Sequence, residues 1–211
     1  MTDWAVFTGD IVKSSELGSE QLSRIFSSLE EAADEVARWQ DAPTLFTRFR
    51  GDGWQMAVAP ALTFRALLAM RAAVRRVGKG LDSRIGIGIG QGRIPGDDLS
   101  GAEGVAFLHS GHALDEMKRT LRMSAPEADL SLRLLLPLAD QIIDGWTARQ
   151  AEIAYLLLPP EAPTQSEVAD RLGQTRQSVQ QQADQSGIMA LLESCTLLEN
   201  PAKGETGGYE N

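Results

Sequence analysis

Ser83-Arg-Ile-Gly-Ile-Gly-Ile-Gly90 alternates isoleucine with glycine without a break. A period of two is the mark of a β-strand, and it places Ile85, Ile87 and Ile89 on one face. The opposite face carries no side chains there. Glycine weakens a strand, so a face made of it predicts that something comes close to the backbone.

Reading outward from this strand gives the order of the fold. A helix is predicted over Ala61–Val77, stopped by Gly78 and Gly80. Two strands precede it, Leu45–Phe49 and Trp54–Val58. Arg50-Gly-Asp-Gly53 lies between them, and Asp-Gly is a strong hairpin signal. Upstream, Leu22, Ile25, Phe26, Leu29, Ala33 and Val36 recur at helical spacing. Ser19 suits the N-cap of that helix, Glu20 its first turn, and Asp41-Ala-Pro43 its stop. Trp4–Thr8 reads as a first strand. The order is β-α-β-β-α-β, the split pattern of ferredoxin-like α+β folds, expected with its helices on one face of the sheet. Beyond the glycine strand follow a loop over Gly92–Gly101, a helix over about Glu103–Met117 and a short strand at Thr120–Met123.

The rest of the chain is helical in pattern. Residues 127–146 read as a connecting helix bent at Pro137. Thr147 suits the cap of a helix to Leu158, and Thr164-Gln-Ser-Glu167 is a capping box. Gly173-Gln174 then turns the chain, and Thr175 caps a helix to about Ser186. Helix, short glycine turn, helix is the helix-turn-helix arrangement. The expected organisation is an α+β unit at 1–126, a connector at 127–146, a small all-α helix-turn-helix unit at 147–199, and a tail at 200–211.

Composition narrows the function classes. The 211 residues carry 20 Lys and Arg against 29 Asp and Glu, a formal net charge of −9. Residues 1–144 sum to −4 and residues 145–211 to −5, so neither part is a general magnet for phosphate backbones. No apolar run is long enough for a membrane span, and no export signal opens the chain. The single Cys195 excludes an internal disulfide, and the expected compartment is the cytoplasm.

Two aspartates stand where this fold can bring them together. Asp10 ends the first strand and Asp52 sits at the hairpin tip, and those strands are neighbours in a split βαβ sheet. Paired carboxylates repel until a cation joins them, and a Mg²⁺ or Mn²⁺ pair bridged by a triphosphate is the two-metal device of phosphoryl and nucleotidyl transfer. Gly9, Gly51 and Gly53 leave room for a phosphate near the backbone. The bland alternative is a turn aspartate and a helix-capping one.

These residues resemble class III nucleotide cyclases. Phe7-Thr-Gly-Asp-Ile11 is similar to their first metal segment, Arg48-Phe-Arg-Gly-Asp52 to the second, Arg84–Gly90 to their arginine-led glycine strand, and Gly104-Val-Ala-Phe107 to the start of their last active-site helix. With the helical tail, the whole chain resembles the SatD family. The resemblance implies metal ligation by Asp10, Asp52 and the Ile11 carbonyl, phosphates near Val12, Ser14 and Ser15, base reading at Arg48, and a homodimer. Cyclases place an asparagine and an arginine four apart on the last helix, and this chain has Leu108 and His112. Leucine orients no ribose, and histidine lacks arginine's fork. His109 and His112, three apart, are a candidate metal or catalytic pair, against the plainer reading of a solvated face. Arg71, Arg75, Arg76 and Lys79 form a basic helix end, either solvated or a phosphate or partner-chain contact.

In the tail, Arg176, Gln177, Ser178, Gln181 and Gln182 are expected to face outward and are the candidates for reading DNA. Three functions stay open: a metal-dependent, nucleotide-binding regulator acting on DNA or a partner; an active nucleotidyl cyclase or nucleotide-transferring enzyme; and a non-catalytic interaction module.

Overall fold

The computed structural model describes residues 2–40, 44–49 and 51–200. The predicted helix stop at Asp41–Pro43, Arg50 of the hairpin, and 201–211 of the tail lie outside the described residues.

Among the described residues six strands form one sheet: β1 (Thr2–Ile11), β2 (Leu45–Arg48), β3 (Gly53–Val58), β4 (Ser83–Arg93), β5 (Glu103–Gly104) and β6 (Met123–Ser124). Their order is β2-β3-β1-β4-β5, with β6 also on β4. α1 (Ser19–Gln40) joins β1 to β2, and α2 (Thr63–Val77) joins β3 to β4. The pairs β1–β3, β1–β4 and β2–β3 are antiparallel, which is the ferredoxin-like arrangement expected. β1 is longer than predicted, so Asp10 lies inside the strand and carries a fixed register.

What approaches the glycine face of β4 is the chain itself. Ile85 and Ile87 are buried in the main core with Leu29 of α1 and Leu67 and Met70 of α2. On the opposite face lies α3 (Val105–Asp115). A Cβ at Gly88 would stand 2.1 Å from the Ala106 carbonyl oxygen, and one at Gly86 would stand 2.3 Å from that of Ser110. The expectation of helices on one face is therefore corrected: α1 and α2 cover the isoleucine face and α3 the glycine face. The cause is the missing side chains, which leave a trough into which helix backbone settles. A second, smaller core of Val6, Ala57, Leu99 and Ala106 forms on that side. The predicted strand at 120–123 shrinks to β6, and the start of the predicted third helix pairs with β4 as β5.

The remaining helices are α4 (Leu130–Asp144), α5 (Ala148–Leu157), α6 (Gln165–Leu172), α7 (Arg176–Ser186) and α8 (Ile188–Glu199). α4 runs through Pro137 and is capped by the Asp129 carboxylate. Capping boxes open α5 at Thr147 with Gln150 and α6 at Thr164 with Glu167, and Thr175 caps α7. Gly173 takes the left-handed conformation that ends α6.

α2 has no solvent side over most of its length: every residue from Thr63 to Val74 is buried. One face packs into the core it shares with the sheet and α1, and the other meets α5 and α8. The buried core is continuous from β1 to Cys195 of α8. At the basic end of α2, Lys79 is exposed, but the three arginines are turned inward onto partners. Arg71 is fully buried and meets Asp82 at 2.7 Å and Asp140 at 2.6 Å. Arg75 meets Asp82 at 2.9 Å and donates to the Trp146 carbonyl at 2.8 Å. Arg76 meets Glu31 at 2.6 Å and lies 3.8 Å over the Tyr155 ring. Nearer the start of α2, Arg65 meets Glu199 of α8 at 2.6 Å and donates to the Leu158 carbonyl at 2.7 Å. Among the described residues no helix is long and apolar enough to cross a membrane.

Candidate functional site

Asp10 stands opposite Gly53 on one side and Arg84 on the other. Directly opposed residues share a face, and here it is the α3 face. The Arg84 guanidinium lies along the Asp10 carboxylate as a fork: Nε donates to Oδ1 at 3.0 Å and Nη2 to Oδ2. Because Gly53 pairs with Asp10, Asp52 of the hairpin turn comes next to it. Asp52 accepts a 2.5 Å hydrogen bond from Ser14. Ser14 follows Lys13, whose φ of 56° is left-handed, and the bond shows that the loop after β1 folds back onto the hairpin.

Three carboxylates act on one guanidinium. The hydrogen bond from Arg84 to Asp10 pushes the Arg84 pKa up, and the charges of Asp10, Asp52 and Asp115 add to it against the opposing cost of burial. Asp115, the last residue of α3, was not among the expected site residues, and neither was Arg84. Below them on the same face, Gln55 donates to the Thr8 hydroxyl at 3.0 Å, and Thr8 meets the Ser110 hydroxyl at 2.8 Å. That chain of polar contacts ties α3 to the sheet beside the site.

The other expected residues divide. The Ile11 side chain is buried in the main core, so only its backbone is available to a ligand. The Val12 amide donates to the Asp82 carbonyl at 2.9 Å, and Ser15 is exposed. Gly51 holds a φ of 85°, which the tight turn demands, while Gly53 would meet no close neighbour with a Cβ. Arg48 is not part of this site. It opposes Trp54, which faces the main core, and its guanidinium lies 3.7 Å from the centre of the Phe26 ring of α1. Asp10 is on the opposite face of the sheet. His109 and His112 do not act as a pair either. His109 turns toward Gly88 with its Nδ1 buried and unpartnered, while His112 is exposed beside the exposed Leu108.

The cyclase resemblance implies a divalent cation at Asp10 and Asp52. Two carboxylates are hard oxygen donors suited to Mg²⁺ or Mn²⁺; Asp10 already holds the Arg84 guanidinium, and the charge of Asp52 acts on the same cation. The donor set fits such an ion, and Asp10 and Asp52 are the side chains that would hold it. Among the described residues no three His, Cys, Asp or Glu side chains gather into a ready-made metal cage.

In the tail, Arg176, Gln177 and Gln181 are exposed on α7, together with Gln180, Asp184 and Gln185. Ser178 and Gln182 are corrected from outward to half-buried. The Ser178 amide donates to the Thr175 hydroxyl at 3.1 Å, and the Gln182 amide donates to Gln174 at 3.0 Å, so both serve the turn before α7.

No family model and no curated protein matches the chain. Solved structures do. The catalytic core of a rhodopsin-guanylyl cyclase with converted specificity, in complex with ATPalphaS, matches at 19% identity and a TM-score of 0.42, over 55% of this chain and 73% of that one. The guanylyl cyclase Cya2 matches at 18% identity and a TM-score of 0.42, over 56% of this chain and 72% of that one. The guanylate cyclase domain of RhGC from Catenaria anguillulae, in complex with GTP, matches at 18% identity and a TM-score of 0.41, over 55% of this chain and 74% of that one.

Proposed function

We propose that the chain is a nucleotide-binding regulatory protein of the SatD type. Its α+β part binds a nucleoside triphosphate with Mg²⁺ or Mn²⁺ at Asp10 and Asp52, and its helix-turn-helix tail contacts DNA or a protein partner as a homodimer. The observation that carries this reading is the placement of Asp10, held by the Arg84 fork, opposite Gly53 at the hairpin end where Asp52 binds the Ser14 loop. Like charges are gathered at a partly exposed sheet end, a costly arrangement that a bound cation and its anion would offset. Binding is favoured over turnover because the helix facing the site offers Leu108 and His112, and neither supplies a permanent charge clamp on a transition state.

For the tail, α7 offers glutamines and Arg176 as its exposed groups. Glutamine reads adenine edges, but phosphate neutralisation supplies much of the affinity of a DNA binder. DNA contact through this helix is therefore weak unless two copies act together.

The test is thermal unfolding with each of the four nucleoside triphosphates, with and without Mn²⁺, on wild type and Asp52→Ala. A ligand at a hundredfold excess over its Kd stabilises the native state by about 2.7 kcal/mol. The expected result is a Mn²⁺-dependent rise in Tm that Asp52→Ala loses. No rise with any nucleotide overturns the reading and leaves the interaction module.

A further inference from the structure

Arg84 and a divalent ion have the same ligands to offer themselves to. Both oxygens of Asp10 carry guanidinium N–H groups, while Asp52 holds the Ser14 hydroxyl and, like Asp115, acts on that guanidinium through its charge alone. Arg84 is not a distant surface charge. It sits on the strand register directly opposite Asp10, with a side chain 36% exposed against 22% for Asp10. The residues two and four further along β4, Gly86 and Gly88, are locked under α3. The backbone beneath Arg84 is therefore fixed, and its side chain is the element free to leave.

We propose that Arg84 is a tethered cation occupying the Asp10–Asp52 site, and that a divalent ion enters only by displacing it. This inference rests on the nucleotide-and-metal reading of the same two aspartates. Its physical content is a competition. Coordination of a hard cation needs oxygen lone pairs that the guanidinium fork now holds, and two cations do not share one carboxylate at contact distance without repulsion. The exchange also changes the charge of the site. With Arg84 in place, the guanidinium answers Asp10, and Asp52 and Asp115 leave the surroundings net negative. An ion adds two positive charges and sets the guanidinium free, and both changes favour an anion. The ion thus becomes the precondition for a polyphosphate, and the resting site repels one.

The experiment is calorimetric titration of Mn²⁺, with no nucleotide present, into wild type, Arg84→Gln, Arg84→Lys and the double variant Arg84→Gln/Asp10→Asn. Circular dichroism of each variant establishes that it is folded. Removal of the competing cation is expected to tighten Mn²⁺ binding by tenfold or more in Arg84→Gln. Arg84→Lys, which keeps the charge without the fork, should fall between, and the double variant should lose the gain. In wild type, Mg²⁺ titration should shift the Arg84 Nε–H resonance as its hydrogen bond to Asp10 breaks. Equal Mn²⁺ affinity in wild type and folded Arg84→Gln overturns the proposal, as does absence of Mn²⁺ binding in Arg84→Gln. A gain in Arg84→Gln with no nucleotide binding by any form leaves this inference standing and removes the nucleotide reading. Metal-dependent nucleotide binding with no effect of Arg84→Gln on Mn²⁺ affinity does the reverse.

Discussion

The carbonyl oxygen of Ala106 lies 2.1 Å from the point where a side chain on Gly88 would begin. No ordinary contact is that short, so a helix backbone rests directly on a strand backbone. The glycine run in β4 is the imprint of α3, and α3 in turn carries Asp115 to the Arg84 site.

Gly88→Ala should therefore destabilise the protein by about 3 kcal/mol, the upper part of the range for overpacking, because backbone atoms cannot turn aside as a side chain can. Gly96→Ala, at a position with nothing within 4 Å, should change stability by less than about 0.5 kcal/mol. Urea denaturation of the two variants checks the difference. Equal midpoints would show that α3 shifts freely over the sheet.

Arg71→Leu should cost about 3–5 kcal/mol, since it strands the buried carboxylate of Asp140 without its cation and leaves Asp82 with Arg75 alone. Arg71→Lys restores the charge but not the fork and should recover only part of the loss. Denaturant midpoints read both. A loss under about 1 kcal/mol for Arg71→Leu would mean that water reaches the network.

Arg48→Ala should leave the nucleotide response unchanged where Asp52→Ala abolishes it, because Arg48 is on the other face of the sheet. Its stability cost is that of an exposed contact over Phe26, about 0.5–1 kcal/mol. Thermal shift with nucleotide and Mn²⁺ on the two variants decides it. Loss of the response in Arg48→Ala would return that residue to the site.

Burial pushes the Cys195 thiol up to about 12. In the unfolded chain it ionises near ~8.5. The folded state keeps a proton that the unfolded state gives up between those values. The stabilisation is whole below about pH 8.5 and fades as pH climbs toward 12. Wild type should lose about 2 kcal/mol more than Cys195→Ala between pH 7 and pH 10, at about 1.4 kcal/mol per unit above the unfolded pKa. Denaturation of both proteins at the two pH values measures it. Parallel losses would show that the thiol reaches solvent in the folded state.

The period-two strands, the Asp-Gly turn and the helical stripes made the strand order legible in the sequence. The glycine face announced a close neighbour but could not name it, because bare backbone accepts a ligand and a helix equally well. Asp10 was legible as a candidate. Arg84 was not, although it is its direct partner, since the two lie 74 residues apart and meet only through an antiparallel register. Arg48 was misplaced for a related reason. Its opposition to Trp54 fixes its face, and that register depends on the length of the hairpin loop. Arg71 did leave a trace, because Leu67, Leu68, Met70, Ala72, Ala73 and Val74 surround it with apolar neighbours. Such a setting marks an arginine bound for the interior with partners rather than for solvent.

The burial of α2 on every side has a consequence for how this chain can be taken apart. α2 is a party wall, and neither the sheet nor the tail owns a finished surface along it. A gene trimmed after residue 126 would yield a sheet whose Arg65 and Arg71 have lost Glu199 and Asp140 and whose apolar wall faces water. Damage to α5 or α8 is damage to the sheet, and the two halves are kept or lost together.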